Sequence, residues 1–174
     1  MDRSKIIFTN EAQSVLSDEF IAHRLGLIPL TCKDMNAYSS GCLCGSHCKH
    51  CAAYLSLSIS CDSETRTVSS RDLCCPADLR PVYESDEDPG VAIVKLGTGQ
   101  RLNMSMVVKK GTGRMHAKWI PVTAVSFSYT DDDIVKLGVE TSGSLAPVAI
   151  VRESLAVLRG KLMALTRELK QLRG

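Results

Sequence analysis

The chain has no excess of either charge: 21 Lys and Arg stand against 19 Asp and Glu in 174 residues, a formal balance of +2. A protein that owes its affinity to phosphate neutralisation carries a clear basic surplus, so proteins rather than nucleic acid are the expected partners. Aromatic side chains are also scarce, 5% of residues with Trp119 the single tryptophan, whereas hydrophobic residues make up 44%. That balance suits an aliphatic core of strands and helices and excludes wholesale disorder. No window approaches the ~20 consecutive apolar residues that cross a bilayer, and no contact with a membrane is expected. Met1 to Phe8 lack an apolar signal core followed by a small-residue cleavage site, which leads to the expectation of an intracellular, reducing location. A phosphate-cradling glycine loop and the paired His/Glu motif of zinc proteases are missing as well.

Cysteine, by contrast, is plentiful, with eight in the chain. Cys42, Cys44, Cys48 and Cys51 fall within ten residues at the spacing C-x-C-x3-C-x2-C. Such crowding makes sense if the sulfurs converge on one soft cation, since a tetrahedral zinc site takes four thiolates at ~2.3 Å. The alternatives are a cysteine-rich turn that binds nothing or forms disulfides, and an iron–sulfur cluster on the same ligands. Four cysteines close the metal's shell and leave no position for a catalytic water, so a zinc-dependent enzyme is not expected and no catalytic residue is assigned. Cys32, Cys61, Cys74 and Cys75 lack compact spacing and are expected as small buried or half-buried residues.

The periodicity divides the rest. Ile6–Phe8 reads as a short strand. Ser17 or Asp18 can cap a helix whose Phe20, Ile21, Leu25 and Leu27 lie largely on one side, with Gly26 near its end and Pro29 beyond. His23 and Arg24 sit on that helix, either on a solvated or locally paired face or in a partner contact. Tyr54–Ser60 alternates large apolar with small polar residues, the mark of a strand with one buried face. Thr67-Val68 suggests another short strand, and Tyr83–Gly90 an acidic turn with its charges in water. Val91–Leu96 and Leu102–Val108, joined by Gly97–Gln100, are expected as a hairpin. Lys109–Trp119 is a basic, glycine-bearing loop, solvated or touching protein. Val122–Tyr129 and Ile134–Glu140 read as the last strands, with Asp131–Asp133 ending the first of them. Pro147 then opens the longest periodic segment, in which Val148, Val151, Leu155, Leu158, Leu162, Leu165, Leu169 and Leu172 recur at alternating steps of three and four. This stripe is longer than a small domain needs for its own core.

Val15–Leu30 resembles the signature segment of the alpha-like subunits of cellular RNA polymerases, in particular the third-largest subunit of polymerase II and its archaeal counterpart. The same order of features follows: Cys42, Cys44, Cys48 and Cys51 match the family's zinc loop, Ser69–Leu73 a segment after a sheet strand, His116–Trp119 with Pro121 a later loop, and Glu140–Leu145 with the helix after it the closing strand and dimerisation helix. The resemblance implies an α+β protein. A mostly antiparallel sheet domain at 1–131, inserted in family members and bearing the zinc loop at 42–51, is followed at 132–174 by the strand and long helix of an incomplete dimerisation domain.

The resemblance further implies a non-catalytic nuclear subunit for assembly and scaffolding, with structural zinc more strongly indicated than an iron–sulfur cluster, and with the catalytic Mg²⁺ held by the large subunits. Its partners would be a smaller alpha-like subunit, the second-largest subunit and small zinc-bearing subunits, and DNA would be met only through the complex. Partner-facing residues would be Asp18, Glu19, Phe20, His23, Arg24, His116, Lys118 and Trp119. The dimerising residues would be Val148, Val151, Leu155, Leu158, Leu162 and Leu165. The family's first strand and helix have no counterpart before the sheet domain here, so half of the dimerisation domain is expected to be absent. The rival reading is a stand-alone zinc-binding regulator that homodimerises through the Val148–Leu172 coiled coil.

Overall fold

The computed structural model describes residues 6–8, 14–34, 37–39, 42–44, 47–130 and 134–173. They form a mixed α and β protein with antiparallel sheets and a long C-terminal helix, as expected. Its contacts divide it into two compact units, Met1–Ile120 and Pro121–Gly174.

The first unit is built on a sheet in the order β1-β7-β3, from β1 (Ile6–Phe8), β3 (Ala52–Ser60) and β7 (Arg101–Lys109). The β3–β7 ladder runs unbroken from Ala52 opposite Lys109 to Ser60 opposite Arg101. Its register sets Leu55 against Met106, Leu57 against Met104 and Ile59 against Leu102, so the period-two pattern of β3 points one apolar row inward and leaves Tyr54, Ser56 and Ser58 exposed. Leu55, Leu57, Leu102, Met104 and Met106 are almost wholly buried, and burial of each such side chain is worth ~1.5–3 kcal/mol. Two small ladders complete the unit: β2 (Leu30–Cys32) on β5 (Leu79–Pro81), and β4 (Arg66–Ser69) on β6 (Ala92–Leu96).

The expected hairpin between the Val91–Leu96 and Leu102–Val108 strands does not form. The tight turn is present, with Gly99 at φ 78° and the Gln100 N–H on the Gly97 carbonyl at 3.1 Å. It is stitched instead to the end of β3: the Gly99 N–H donates to the Cys61 carbonyl, and the Cys61 N–H to that of Gln100. The chain turns a corner there, leaving β6 on β4 and passing β7 to β3.

Helix α1 (Asp18–Leu27) follows Ser17, which is extended and makes no side-chain cap. Ile21 and Leu25, one turn apart, enter the main core together with Ile28. Phe20 and Leu27, expected on the same side, face outward instead, Phe20 with 67% of its surface exposed. At 100° per residue they stand about 100–160° around the helix from Ile21 and Leu25.

The second unit consists of β8 (Val122–Tyr129) paired with β9 (Val135–Thr141), and α2 (Pro147–Arg173). The sequence division at 131/132 falls inside this hairpin, whereas the contacts divide the chain before Pro121, because β8 is held by β9 from Val122 opposite Thr141 to Tyr129 opposite Val135. On β8 Val125, Phe127 and Tyr129 are exposed, as are Val135 and Leu137 on β9. Asp131–Asp133 lie outside the described residues. Gly143, at φ 81°, turns the chain toward α2, which begins at Pro147 as expected.

Candidate functional site

The four clustered cysteines converge. One Sγ atom from each of Cys42, Cys44, Cys48 and Cys51 lies within 4.8 Å of all the others. Cys42 and Cys48 stand 3.6 Å apart, and the Cys44–Cys51 and Cys48–Cys51 separations are both 3.7 Å. Bonds of ~2.3 Å at tetrahedral angles put sulfurs about 3.8 Å apart, whereas a disulfide needs ~2.05 Å, and all four thiols are free. The donor set therefore fits a zinc-sized soft ion.

Local structure explains the convergence. Cys51 immediately precedes β3, is 6% exposed and packs with Ala52, Val107 and the partly buried Cys48. A tight turn gathers the second pair of ligands, with the Cys51 and Ala52 N–H groups both donating to the Cys48 carbonyl at 3.0 Å. Tyr54, exposed on β3, donates its hydroxyl to the His47 carbonyl at 2.5 Å, and the Ser39 N–H donates to His50. The loop's C-terminal half is thus fastened to the sheet, while Cys42 and Cys44 are exposed.

The thiols are electrically unequal. The Cys44 thiol is lowered to about 6, first by the Cys48 backbone N–H and then by the Cys42 side chain. Cys42 is pushed up to about 12, chiefly by its hydrogen bond with Cys44, and burial raises Cys51. Of these thiols Cys44 thus gives up its proton most readily, and a bound cation would replace the protons of the others.

The other cysteines do not join this group. Cys61 is buried and donates its thiol to the Glu64 carbonyl; Cys32 and Cys75 are half-buried, with burial raising both. Cys74, expected to be covered, is exposed because only its backbone is engaged, in a paired bridge with Ser56.

The expected partner-facing residues fall into two groups. Glu19, Phe20, His23 and Arg24 line the outer side of α1, joined by Leu27 and flanked by the half-buried Asp18. Arg24 is tied down, donating to the Ala92 carbonyl of β6 at 2.9 Å. His116, Lys118 and Trp119 form a cluster around one turn of 3-10 helix: the Lys118 N–H donates to His116 Nδ1 at 3.0 Å, the two rings meet edge-on at 6.5 Å, and Lys118 Nζ lies 4.6 Å from the Trp119 ring centre. Trp119 covers Gly111 so closely that a Cβ there would meet its indole at 2.2 Å. The expected dimerising residues Val148, Leu155, Leu158, Leu162 and Leu165 are all exposed along α2, and Val151 is half-exposed.

Arg71 is the residue that sequence reasoning missed. It follows Ser70, which is 0% exposed, and both grip the acidic turn before β6. The guanidinium stacks 4.3 Å from the Tyr83 ring centre and donates to the carbonyls of Ser85, Asp86 and Asp88. The Ser70 hydroxyl accepts from the Val91 N–H at 3.0 Å. Asp88, expected only to face water, accepts from the Glu84 and Gly90 N–H groups, and those hydrogen bonds hold its carboxyl below the usual value. Carbonyl acceptors leave no trace in sequence, so the Ser69–Leu73 resemblance included Arg71 without indicating what its side chain does.

Comparison with known proteins gives a consistent result. Residues 6–128 match the family described as RNA polymerase Rpb3/RpoA insert domain. The chain is 42% identical over 137 residues to "DNA-directed RNA polymerases II, IV and V subunit 3" of Arabidopsis thaliana, covering 70% of this chain and 43% of that protein. It is 37% identical over 124 residues to "DNA-directed RNA polymerase II subunit rpb3" of Dictyostelium discoideum, covering 67% and 41%. It is 29% identical over 168 residues to "DNA-directed RNA polymerase subunit Rpo3" of Methanocaldococcus jannaschii, covering 95% and 75%. The chain thus spans about two fifths of the length of the first two relatives.

Proposed function

Because the chain belongs to the RNA polymerase Rpb3/RpoA insert-domain family, we propose that it is a non-catalytic assembly subunit of a DNA-directed RNA polymerase, of the polymerase II type. The sheet unit is its platform, and β9 and α2 belong to a dimerisation domain that pairs with a smaller alpha-like subunit. The outer side of α1 and the His116–Trp119 cluster receive the second-largest subunit and small zinc-bearing subunits. DNA is reached only through the complex. The nuclear location of a polymerase II subunit belongs to the same proposal, supported by relatives named for that enzyme.

The observation that carries the reading is the joint presence of a closed thiol site and a long helix with an exposed apolar stripe. Four sulfurs at tetrahedral spacing suit a structural metal and leave no position for a reacting water. Cys42, Cys44, Cys48 and Cys51 would hold zinc, whose binding energy at such a site becomes folding energy for a short polar loop. The loop needs that help: of its four cysteines Cys51 is buried in the small apolar cluster and Cys48 only packs against it, while Cys42 and Cys44 are exposed. The chain's own residues do the remaining work: Tyr54 and Cys48 fasten the loop to β3, Arg71 fixes the approach to β6, and Arg24 fixes α1 against β6.

Cys48→Ser tests the clip. The variant is expected to lose the metal, to be cut faster by protease within residues 42–51, and to assemble less, without altered chemistry in any complex that still forms. Equal cleavage of variant and wild type, with and without chelator, would sink the assignment. Co-expression with a smaller alpha-like subunit, followed by size-exclusion chromatography with light scattering, tests the pairing: a 1:1 heterodimer is expected, and a homodimer indifferent to the partner favours the coiled-coil regulator.

A further inference from the structure

The edges of the α2 seam carry a charge pattern that the apolar stripe does not require. Arg152, Arg159 and Thr166 directly follow Val151, Leu158 and Leu165 and form one edge; Ser154, Lys161 and Glu168 directly precede Leu155, Leu162 and Leu169 and form the other. The two edges together thus hold three cations and one carboxylate. Over residues 147–172 the helix holds five cations, Arg152, Arg159, Lys161, Arg167 and Lys170, and two carboxylates, Glu153 and Glu168, all exposed. Neither glutamate has Lys or Arg three or four residues away, the spacing at which helical pairs meet. Among the described residues the one ion pair is Arg66–Asp72, and none lies on α2.

From this arrangement we infer that the α2 seam is built for a helix of a different polypeptide, with aliphatic residues facing the stripe and Asp or Glu along both its edges. The inference rests on the reading of α2 as a pairing surface and names the chemistry of the partner. Edge charges select partners in paired helices because like charges brought together repel, and that repulsion counts as much as attraction in setting specificity. A second copy packed antiparallel would set Arg159 against Arg159 and Lys161 against Lys161, and a parallel copy would put no carboxylate opposite Arg152, Arg159 or Lys161. A basic amphipathic helix also fits an anionic lipid surface, but α2 has no Trp, Tyr or Phe between Pro147 and Arg173 to anchor in a headgroup layer.

The test uses the full chain and two labelled helical peptides with identical aliphatic seams, one with Glu and one with Lys at every edge position. Fluorescence anisotropy at low salt is expected to show the Glu peptide binding on the order of tenfold tighter or more, with the gap narrowing toward 1 M salt as the charges are screened. In the Arg152→Glu/Arg159→Glu/Lys161→Glu chain, checked for helicity by circular dichroism, the preference is expected to invert. Equal binding of both peptides overturns the charge inference and leaves the pairing reading standing. Binding of neither peptide, with the chain sedimenting as a dimer, overturns it in favour of a second copy. Binding of phosphatidylserine vesicles and of neither peptide overturns it in favour of lipid. A monomer that binds none of these overturns both the inference and the pairing reading.

Discussion

Replacing Gly90 with alanine separates backbone strain from a close approach, because the protein supplies its own control. Gly90 has φ 79°, and an added Cβ would sit 2.6 Å from Ser70 Oγ and 3.3 Å from Tyr83 Cε1. Gly99 has φ 78° with nothing within 4 Å of its Cβ position. The left-handed conformation costs an alanine about 1 kcal/mol at either site. At Gly90 the new methyl must also displace the hydroxyl of the wholly buried Ser70, breaking its hydrogen bond from the Val91 N–H, at about 1–2 kcal/mol. Gly90→Ala is therefore expected to cost about 2–3 kcal/mol and Gly99→Ala about 1 kcal/mol. Urea unfolding followed by the fluorescence of Trp119 measures both, the shift appearing in the midpoint and not in the slope. In a Ser70→Ala background, where the obstructing oxygen is gone, the cost of Gly90→Ala is expected to fall toward that of Gly99→Ala. Equal losses at the two glycines in the wild-type background would refute the close approach. The outcome bears on function because Gly90 leads into β6, whose Ala92 carbonyl holds Arg24 of α1.

Other outcomes follow from single contacts. The Tyr38 hydroxyl donates to Asp78 Oδ2 at 2.7 Å, which pushes the phenol up to about 12 from an ordinary 10. A raised pKa means that the folded state keeps the proton longer, so this stabilisation is complete below pH 10 and is lost as the pH rises toward 12. The stability gap between wild type and Tyr38→Phe is therefore expected to be constant at neutral pH and to close in that alkaline window; a gap unchanged at pH 12 contradicts the assignment. Leu158→Asp places a charge in the exposed α2 stripe. It is expected to abolish partner binding while moving the midpoint of the sheet unit by less than about 0.5 kcal/mol in stability, and retention of full partner affinity would contradict the pairing role.

Some elements were legible because one local rule decided them. The alternation of Tyr54–Ser60 specified both a strand and its inward row, and β3 buries Leu55 and Leu57 accordingly. Pro147 and the steps of three and four specified α2 nearly to the residue. Four thiols in ten residues specified their own convergence. Strand partnership was not legible at Gly97–Gln100, since turn chemistry fixes a reversal but not which ladder receives the outgoing strand; the bonds to Cys61 decided that. Three-residue strands such as Leu30–Cys32 and Leu79–Pro81 are too short to show a period. On α1 the run of apolar residues concealed two faces, Ile21 and Leu25 entering the core while Phe20 and Leu27 face outward. The Arg71 clamp depends on carbonyl groups that every residue carries. The contact surfaces proposed on α1 and around Trp119 came from family resemblance, because an exposed helix face reads the same whether solvent or a partner covers it.

The central claim is that this chain works inside a polymerase. Affinity purification of the tagged protein from its own cells, with mass spectrometry of what accompanies it, tests this most directly. The account predicts stoichiometric recovery of a smaller alpha-like subunit with the second-largest polymerase subunit, and their loss from the Leu158→Asp variant. Recovery of the chain alone or as a homodimer, with no polymerase subunit at any ratio, would contradict it.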